Sequence, residues 1–135
     1  MNQLKGVITD IRSHEGISSV KVKASDRFIF TSVIIDSPET FLFLQKNNEV
    51  NILFKETEVI IAKGEVNNIS IQNKIPCEIA SIKAGEILCQ VNLLSEKIKI
   101  ISIITRNAFD QLDLKKGEKV IALVKSNEVS LSAHD

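Results

Sequence analysis

The chain opens with Met1-Asn2-Gln3-Leu4-Lys5-Gly6-Val7-Ile8, and Gln72-Asn73-Lys74-Ile75-Pro76-Cys77-Glu78-Ile79 reads as the same phrase begun again. Asn2 aligns with Asn73, Leu4 with Ile75 and Ile8 with Ile79, each pair 71 positions apart. At that offset Ile11/Ile82, Glu15/Glu86, Val20/Val91 and Ile29/Ile100 are also identical, and Val22/Leu93 and Phe41/Leu112 are conservative. Near residue 46 the offset changes to 70, and Val50/Val120, Leu53/Leu123, Lys55/Lys125, Glu58/Glu128 and Val59/Val129 match. A match over a whole unit with one single-residue gap marks a tandem duplication, with units 1–65 and 66–135.

Each unit carries a strand pattern. Residues 4–11 alternate apolar and polar and are rich in β-branched side chains, which suits a half-buried strand. A turn over 13–16 follows, matched by Ala84-Gly85 in the second unit. Strands are then expected over 19–23 and 27–35, separated by Ser25-Asp26, and over 87–94 and 97–105, separated by Ser95-Glu96. After the third strand Pro38-Glu39-Thr40 suits a first helical turn capped by Asp36 or Ser37, and Asn107 is the expected cap of a helix over 108–112. Lys116-Gly117-Glu118 ends that helix. Two further strands close each unit, over 49–54 and 58–62 and over 119–125 and 128–131. Five short strands with a small helix between the third and fourth predict an all-β chain of two tandem OB-like five-stranded β-barrels. Lys63-Gly64-Glu65-Val66-Asn67-Asn68 is the polar linker, short enough to hold the barrels close together.

Composition narrows the function. Of the 135 residues 44% are hydrophobic but only 4% are aromatic, so the core is built from Ile, Val and Leu. No apolar run reaches the roughly 18 residues a membrane span needs, and no basic region followed by an apolar stretch marks a secretory leader. A cytoplasmic protein without membrane contact is expected. Lys plus Arg and Asp plus Glu number 17 each, which argues against a general polyanion binder. The six Phe fall mostly on core-like positions, which leaves little for base stacking, so no nucleic-acid partner is expected. Cys77 and Cys89 share strand parity with apolar neighbours and are read as small core residues. No Cys/His cluster has metal-ligand spacing, so no metal held directly by side chains is expected. His14 and His134, in a turn and at the chain end, are read as solvated. No Ser/His/Asp arrangement, Gly-rich phosphate loop or acid pair with a His is present, so an enzyme is not expected.

The second unit carries an ordered set of phrases: Ile69-Ser70-Ile71-Gln72-Asn73, then Ile103-Ile104-Thr105, then Leu112-Asp113-Leu114-Lys115-Lys116-Gly117-Glu118, then Ala122-Leu123-Val124-Lys125-Ser126-Asn127-Glu128-Val129. This resembles the Mop domain of molybdate-binding proteins, also called the TOBE or molbindin domain. The first unit shares the resemblance more weakly through the repeat, so the whole chain looks like a tandem molbindin. The resemblance implies a cytoplasmic protein that binds molybdate or tungstate for storage or homeostasis, with no organic cofactor. It implies sites between barrels of a homo-oligomer, with a trimer favoured over a dimer. The same tandem domain also forms the sensing half of molybdate-responsive transcription regulators and the tail of some transporter ATPases, which makes a regulatory or interaction module the alternative.

The implied ligand residues are Ser70, Gln72 and Asn73 before the first strand, Thr105 and Arg106 after the third, and Lys125, Ser126 and Asn127 after the fourth, with Lys55 and Thr57 as their first-unit counterparts. Backbone N–H groups, hydroxyls and a Lys suit a tetrahedral dianion at modest net charge, and a helix start adds free N–H donors. Gln72 stands where the family has Arg, and Arg106 is a candidate substitute for the missing charge. Ser126 and Asn127 replace the family's Ala and Ser and keep polar donors. The first unit departs further. No Ser-Ala-Arg arm precedes Asn2, Ile34 stands opposite Thr105, and Asp36 and Glu56 bring negative charge near Lys55. Its own residues are expected to form a poor anion site.

Overall fold

The computed structural model describes residues 1–25, 27–35 and 42–134. The expected first-unit helical turn at Pro38-Glu39-Thr40, with its cap Asp36 or Ser37, lies outside them, as do Asp26 and Phe41.

Among the described residues there are ten strands and one short α-helix. Strands β1 (Asn2–His14), β2 (Ile17–Lys23), β3 (Ile29–Ile34) and β4 (Glu49–Phe54) come first. A 3-10 turn, Glu56–Glu58, leads into β5 (Ile60–Ala62). The second half repeats the plan with β6 (Asn73–Ala84), β7 (Leu88–Ser95), β8 (Ile98–Thr105), helix α1 (Arg106–Leu112), β9 (Lys119–Val124), a 3-10 turn Ser126–Glu128 and β10 (Ser130–Ala133). Alternating burial along β1 and β6 follows from the period-two pattern, with Leu4, Gly6 and Ile8 or Ile75, Cys77 and Ile79 turned inward.

The strands form two all-antiparallel sheets, ordered β10-β4-β1-β2-β3 and β5-β9-β6-β7-β8. Each sheet therefore ends on the fifth strand of the other repeat. β10 pairs with β4 in the register Ser130↔Leu53 to Ala133↔Val50, and β5 pairs with β9 from Ile60↔Leu123 to Ala62↔Ile121. The compact units are accordingly 1–54 with 125–135, and 55–124. The division at 65/66 describes the repeat in the sequence, whereas the packing units trade their last segments.

The expected barrels are not closed by strand pairing. Each sheet is open, and its two end strands, β3 and β10 or β5 and β8, approach without a hydrogen-bonded ladder among the described residues. The 3-10 turns pack on β3 and β8 and cover the gap. A bulge at the same place in both copies, between Ile8 and Asp10 and between Ile79 and Ser81, bends the long first strand so that it serves two neighbours. Pro76, which has no N–H to give, sits where β6 has β9 beside it and pairing to β7 has not begun.

The pairing also corrects the alignment of the repeats. Val20 faces Ser32 and Val91 faces Ser102, while Lys23 faces Ile29 and Leu94 faces Lys99. The offset is therefore already 70 in the third strand, so the extra first-unit residue lies in the β2–β3 connection and not near residue 46. Ile29 corresponds to Lys99, and the buried Phe30 corresponds to the buried Ile100. Asn47 and Gly117 then coincide, and both hold positive φ, 75° and 86°. Their N–H groups bond Ile8 O and Ile79 O at 2.8 Å each.

The two cores differ in content. In the first unit Phe30 and Phe54 stack with centroids 5.9 Å apart among Ile8, Val20, Val22, Leu44, Val50 and Ile52. The second unit has Ile100 and Val124 at those places. Cys77 and Cys89 are buried as free thiols, and burial raises the Cys77 thiol to about 11.

Candidate functional site

The two 3-10 turns are built alike. Lys125 leaves β9 in an extended conformation (φ −64°, ψ 145°), and Lys55 leaves β4 in nearly the same one (φ −73°, ψ 146°). Each turn is closed by backbone bonds, Glu128 N–H to Lys125 O at 3.0 Å and Glu58 N–H to Lys55 O at 3.0 Å. A second bond follows in each, Val129 N–H to Ser126 O at 3.4 Å and Val59 N–H to Glu56 O at 3.3 Å. Neither lysine side chain caps its turn, both are exposed, and among the described residues neither ammonium is in an ion pair. What differs is the pair of residues that follows: Ser126 and Asn127 are neutral donors, whereas Glu56 and Thr57 include a carboxylate.

The first strand of each repeat begins opposite the last residue of the fourth. Asn73 is opposite Val124, the residue before Lys125, and Asn2 is opposite Phe54, the residue before Lys55. Both asparagines are buried, 2% and 5% exposed, and no buried side-chain polar atom among the described residues lacks a partner. Ser70 is exposed on a bend of the arm leading into β6, and Gln72 is exposed just before it.

Thr105 and Arg106 are committed to structure. Thr105, not Asn107, caps α1: its Oγ1 accepts from Ala108 N–H at 3.1 Å. Arg106 N–H bonds Ile87 O at 2.8 Å, so this short helix offers fewer free N–H donors than expected from its start. The Arg106 guanidinium meets Asp110 Oδ1 at 3.0 Å through Nε, donates to Gly85 O at 3.1 Å through Nη1 and lies 6.0 Å from the Phe109 ring centre. Its hydrogen bond to the Asp110 carboxylate holds its pKa above the ordinary guanidinium value. It is therefore fastened to the helix and to the β6–β7 turn, and its charge is already spent on Asp110. The residue that corresponds to Thr105 in the corrected register is Ile35, not Ile34, and it is 84% exposed. The first unit still has no hydroxyl there.

By packing unit, Lys125, Ser126 and Asn127 belong to the first, and Ser70, Gln72, Asn73, Thr105, Arg106, Lys55 and Thr57 to the second.

Four features escaped the sequence reading. Ser32 Oγ donates to Val129 O at 2.6 Å, and Ser102 Oγ donates to Val59 O at 2.8 Å, both fully buried. Their signal was a serine at the same place in each third strand, but the misplaced gap set Ser32 against Ile103 and hid the repetition. Lys63, read as linker, bonds Glu118 Oε2 at 2.8 Å and Asp113 O at 3.1 Å. His134 is half-buried rather than solvated, with Nδ1 3.4 Å from Glu49 Oε2, in a dent of about 340 Å³ on the first unit shared with Lys5 and Lys23. His14 is exposed as expected, 3.6 Å from Glu15.

Comparison with known proteins agrees with this architecture. Residues 69–131 match the TOBE domain. The matched segment runs from the arm before β6 through the Lys125 turn into β10. The whole chain overlays a crystal structure of the cytoplasmic molybdate-binding protein ModG with molybdate bound, at a TM-score of 0.91 and 21% identity, covering 98% of this chain and 96% of that one. The two share a fold. Among curated proteins none matches this chain. No helix among the described residues is long and apolar enough to cross a membrane.

Proposed function

We propose that this protein binds molybdate or tungstate in the cytoplasm as a storage or buffering protein, working as a homo-oligomer. The observation that carries the reading is the near end-to-end overlap with the molybdate-bound fold of ModG, together with the TOBE match over the second repeat. The local chemistry supports it. The Lys125 turn presents an ammonium free of any ion pair among the described residues, followed by two neutral donors. A tetrahedral dianion is held by such converging donors when no carboxylate competes. Ser70, Gln72 and Asn73 are proposed as further donors. Arg106 is the weakest member of the proposed set, because Asp110 already neutralises it. Exposed Ile87 and Leu88 beside the end strand β8 support association with further copies.

Isothermal titration of ligand-stripped protein with molybdate, tungstate, sulfate and phosphate tests the reading. Saturable binding of the first two, with sulfate and phosphate much weaker, is expected. Absence of a saturable response to both molybdate and tungstate overturns it.

A further inference from the structure

The buried serines of the third strands point to a division of labour between the repeats. Ser32 belongs to the first repeat, yet its hydroxyl donates at 2.6 Å to Val129 O, at the exit of the turn that carries Lys125, Ser126 and Asn127 of the second repeat. Ser102 belongs to the second repeat and donates at 2.8 Å to Val59 O, at the exit of the turn that carries Lys55, Glu56 and Thr57 of the first. Both serines are 0% exposed and both acceptor valines are 2% exposed.

These contacts are specific. Phe30 and Ile100 are the buried residues two positions before Ser32 and Ser102, and Thr31 is buried beside Ser32. A buried hydroxyl among such residues is destabilising unless it is bonded, so a serine at this place fixes the position of the carbonyl it meets. Val129, whose carbonyl accepts this bond, closes the three-residue turn through its own N–H to Ser126 O, a long contact at 3.4 Å. The turn has few backbone bonds of its own, and Ser32 adds a side-chain tie from the sheet at its exit.

We infer that Ser32 is a positioning residue for anion binding: the first repeat, whose own turn carries a carboxylate, sets the geometry of the second repeat's Lys125 turn. The inference rests on the proposed oxyanion function. It makes the first repeat part of the binding device without lending a ligand atom. Ser102 does the same mechanical work on the Lys55 turn, where little affinity is at stake.

The test compares Ser32→Ala with Ser102→Ala in the full chain, by molybdate titration, thermal melting and amide hydrogen exchange. Both variants lose one buried bond, so similar losses of Tm are expected. Molybdate affinity should fall about tenfold or more for Ser32→Ala, because donors held in place bind better than donors ordered on binding, and about twofold or less for Ser102→Ala. The Glu128 and Val129 amides should exchange faster in Ser32→Ala, and the Glu58 and Val59 amides in Ser102→Ala. Should Ser32→Ala fail to fold, Ser32→Thr and Ser32→Val give the same comparison at matched volume, with only Thr retaining the affinity. Equal affinity losses in the two serine variants, or none in either, overturn the inference and leave the oxyanion function standing. A wild-type protein that binds no molybdate or tungstate overturns the function instead, and unchanged exchange at Glu128 and Val129 in Ser32→Ala then refutes the tie to the turn independently.

Discussion

The Lys55 and Lys125 turns share one backbone and differ in two side chains. Their dihedrals agree within about ten degrees, their closing bonds are the same, and each is tied by a buried serine from a third strand. One continues with Glu56 and Thr57, the other with Ser126 and Asn127. The two copies thus share the backbone of the turn while the side chains after the lysine differ. One shape carries two sets of side chains, one with a carboxylate after the lysine and one without.

The largest expected effect contrasts the cores. Phe54→Ala removes one member of a stacked pair and should cost about 3–5 kcal/mol in urea unfolding. Val124→Ala at the equivalent place removes far less volume and should cost roughly half as much. Equal losses would mean that the volume removed does not set the cost at these two positions.

Next comes the lysine contrast. Lys125→Ala should weaken molybdate binding by roughly tenfold to a hundredfold, as expected for a charged hydrogen bond, whereas Lys55→Ala should leave it within about a factor of two. Glu56→Ser sharpens the same comparison by giving the first turn the second's residue. It should add a weak further binding event in calorimetry, and an unchanged stoichiometry would mean that the carboxylate is not what disables that turn.

The smallest effect concerns Glu118, whose counterpart in the corrected register is Asn48. The Lys63 ammonium holds the Glu118 carboxyl below its ordinary value of 4.5, with help from Lys115 N–H. A depressed folded-state value means that stability from this pair is present above the unfolded value and is lost as pH falls through the folded one. Glu118→Gln should therefore be slightly less stable than wild type near neutrality, and the gap should close below about pH 4.5. Because both side chains are about one-third exposed, the effect is small. A gap that persists undiminished in acid would assign the loss to packing instead.

Much of the fold was legible because strand order within each repeat follows from period-two burial, turn residues and the repeat itself. The fourth strand was read with its observed bounds, and both cysteines lie in the core as their parity required. The site was less legible. Lys125 and Lys55 stood out by recurrence, but the partners of Thr105 and Arg106 are set by a helix cap and an Asp one turn on, which motif order does not weigh. The serine ties were lost to a gap placed too late, since a one-residue slip exchanges inward and outward positions along a strand.

The sequence alone determined the repeat, the all-β plan and the unequal charge of the two turns, because these depend on residue identity and local period. Only the tertiary structure decided which sheet receives each fifth strand. Val59-Ile60-Ile61-Ala62 and Val129-Ser130-Leu131-Ser132 carry patterns that suit an edge in either unit. The choice depends on where the preceding turn directs the chain. That direction comes from three-dimensional packing against β8 or β3, and no local pattern encodes it.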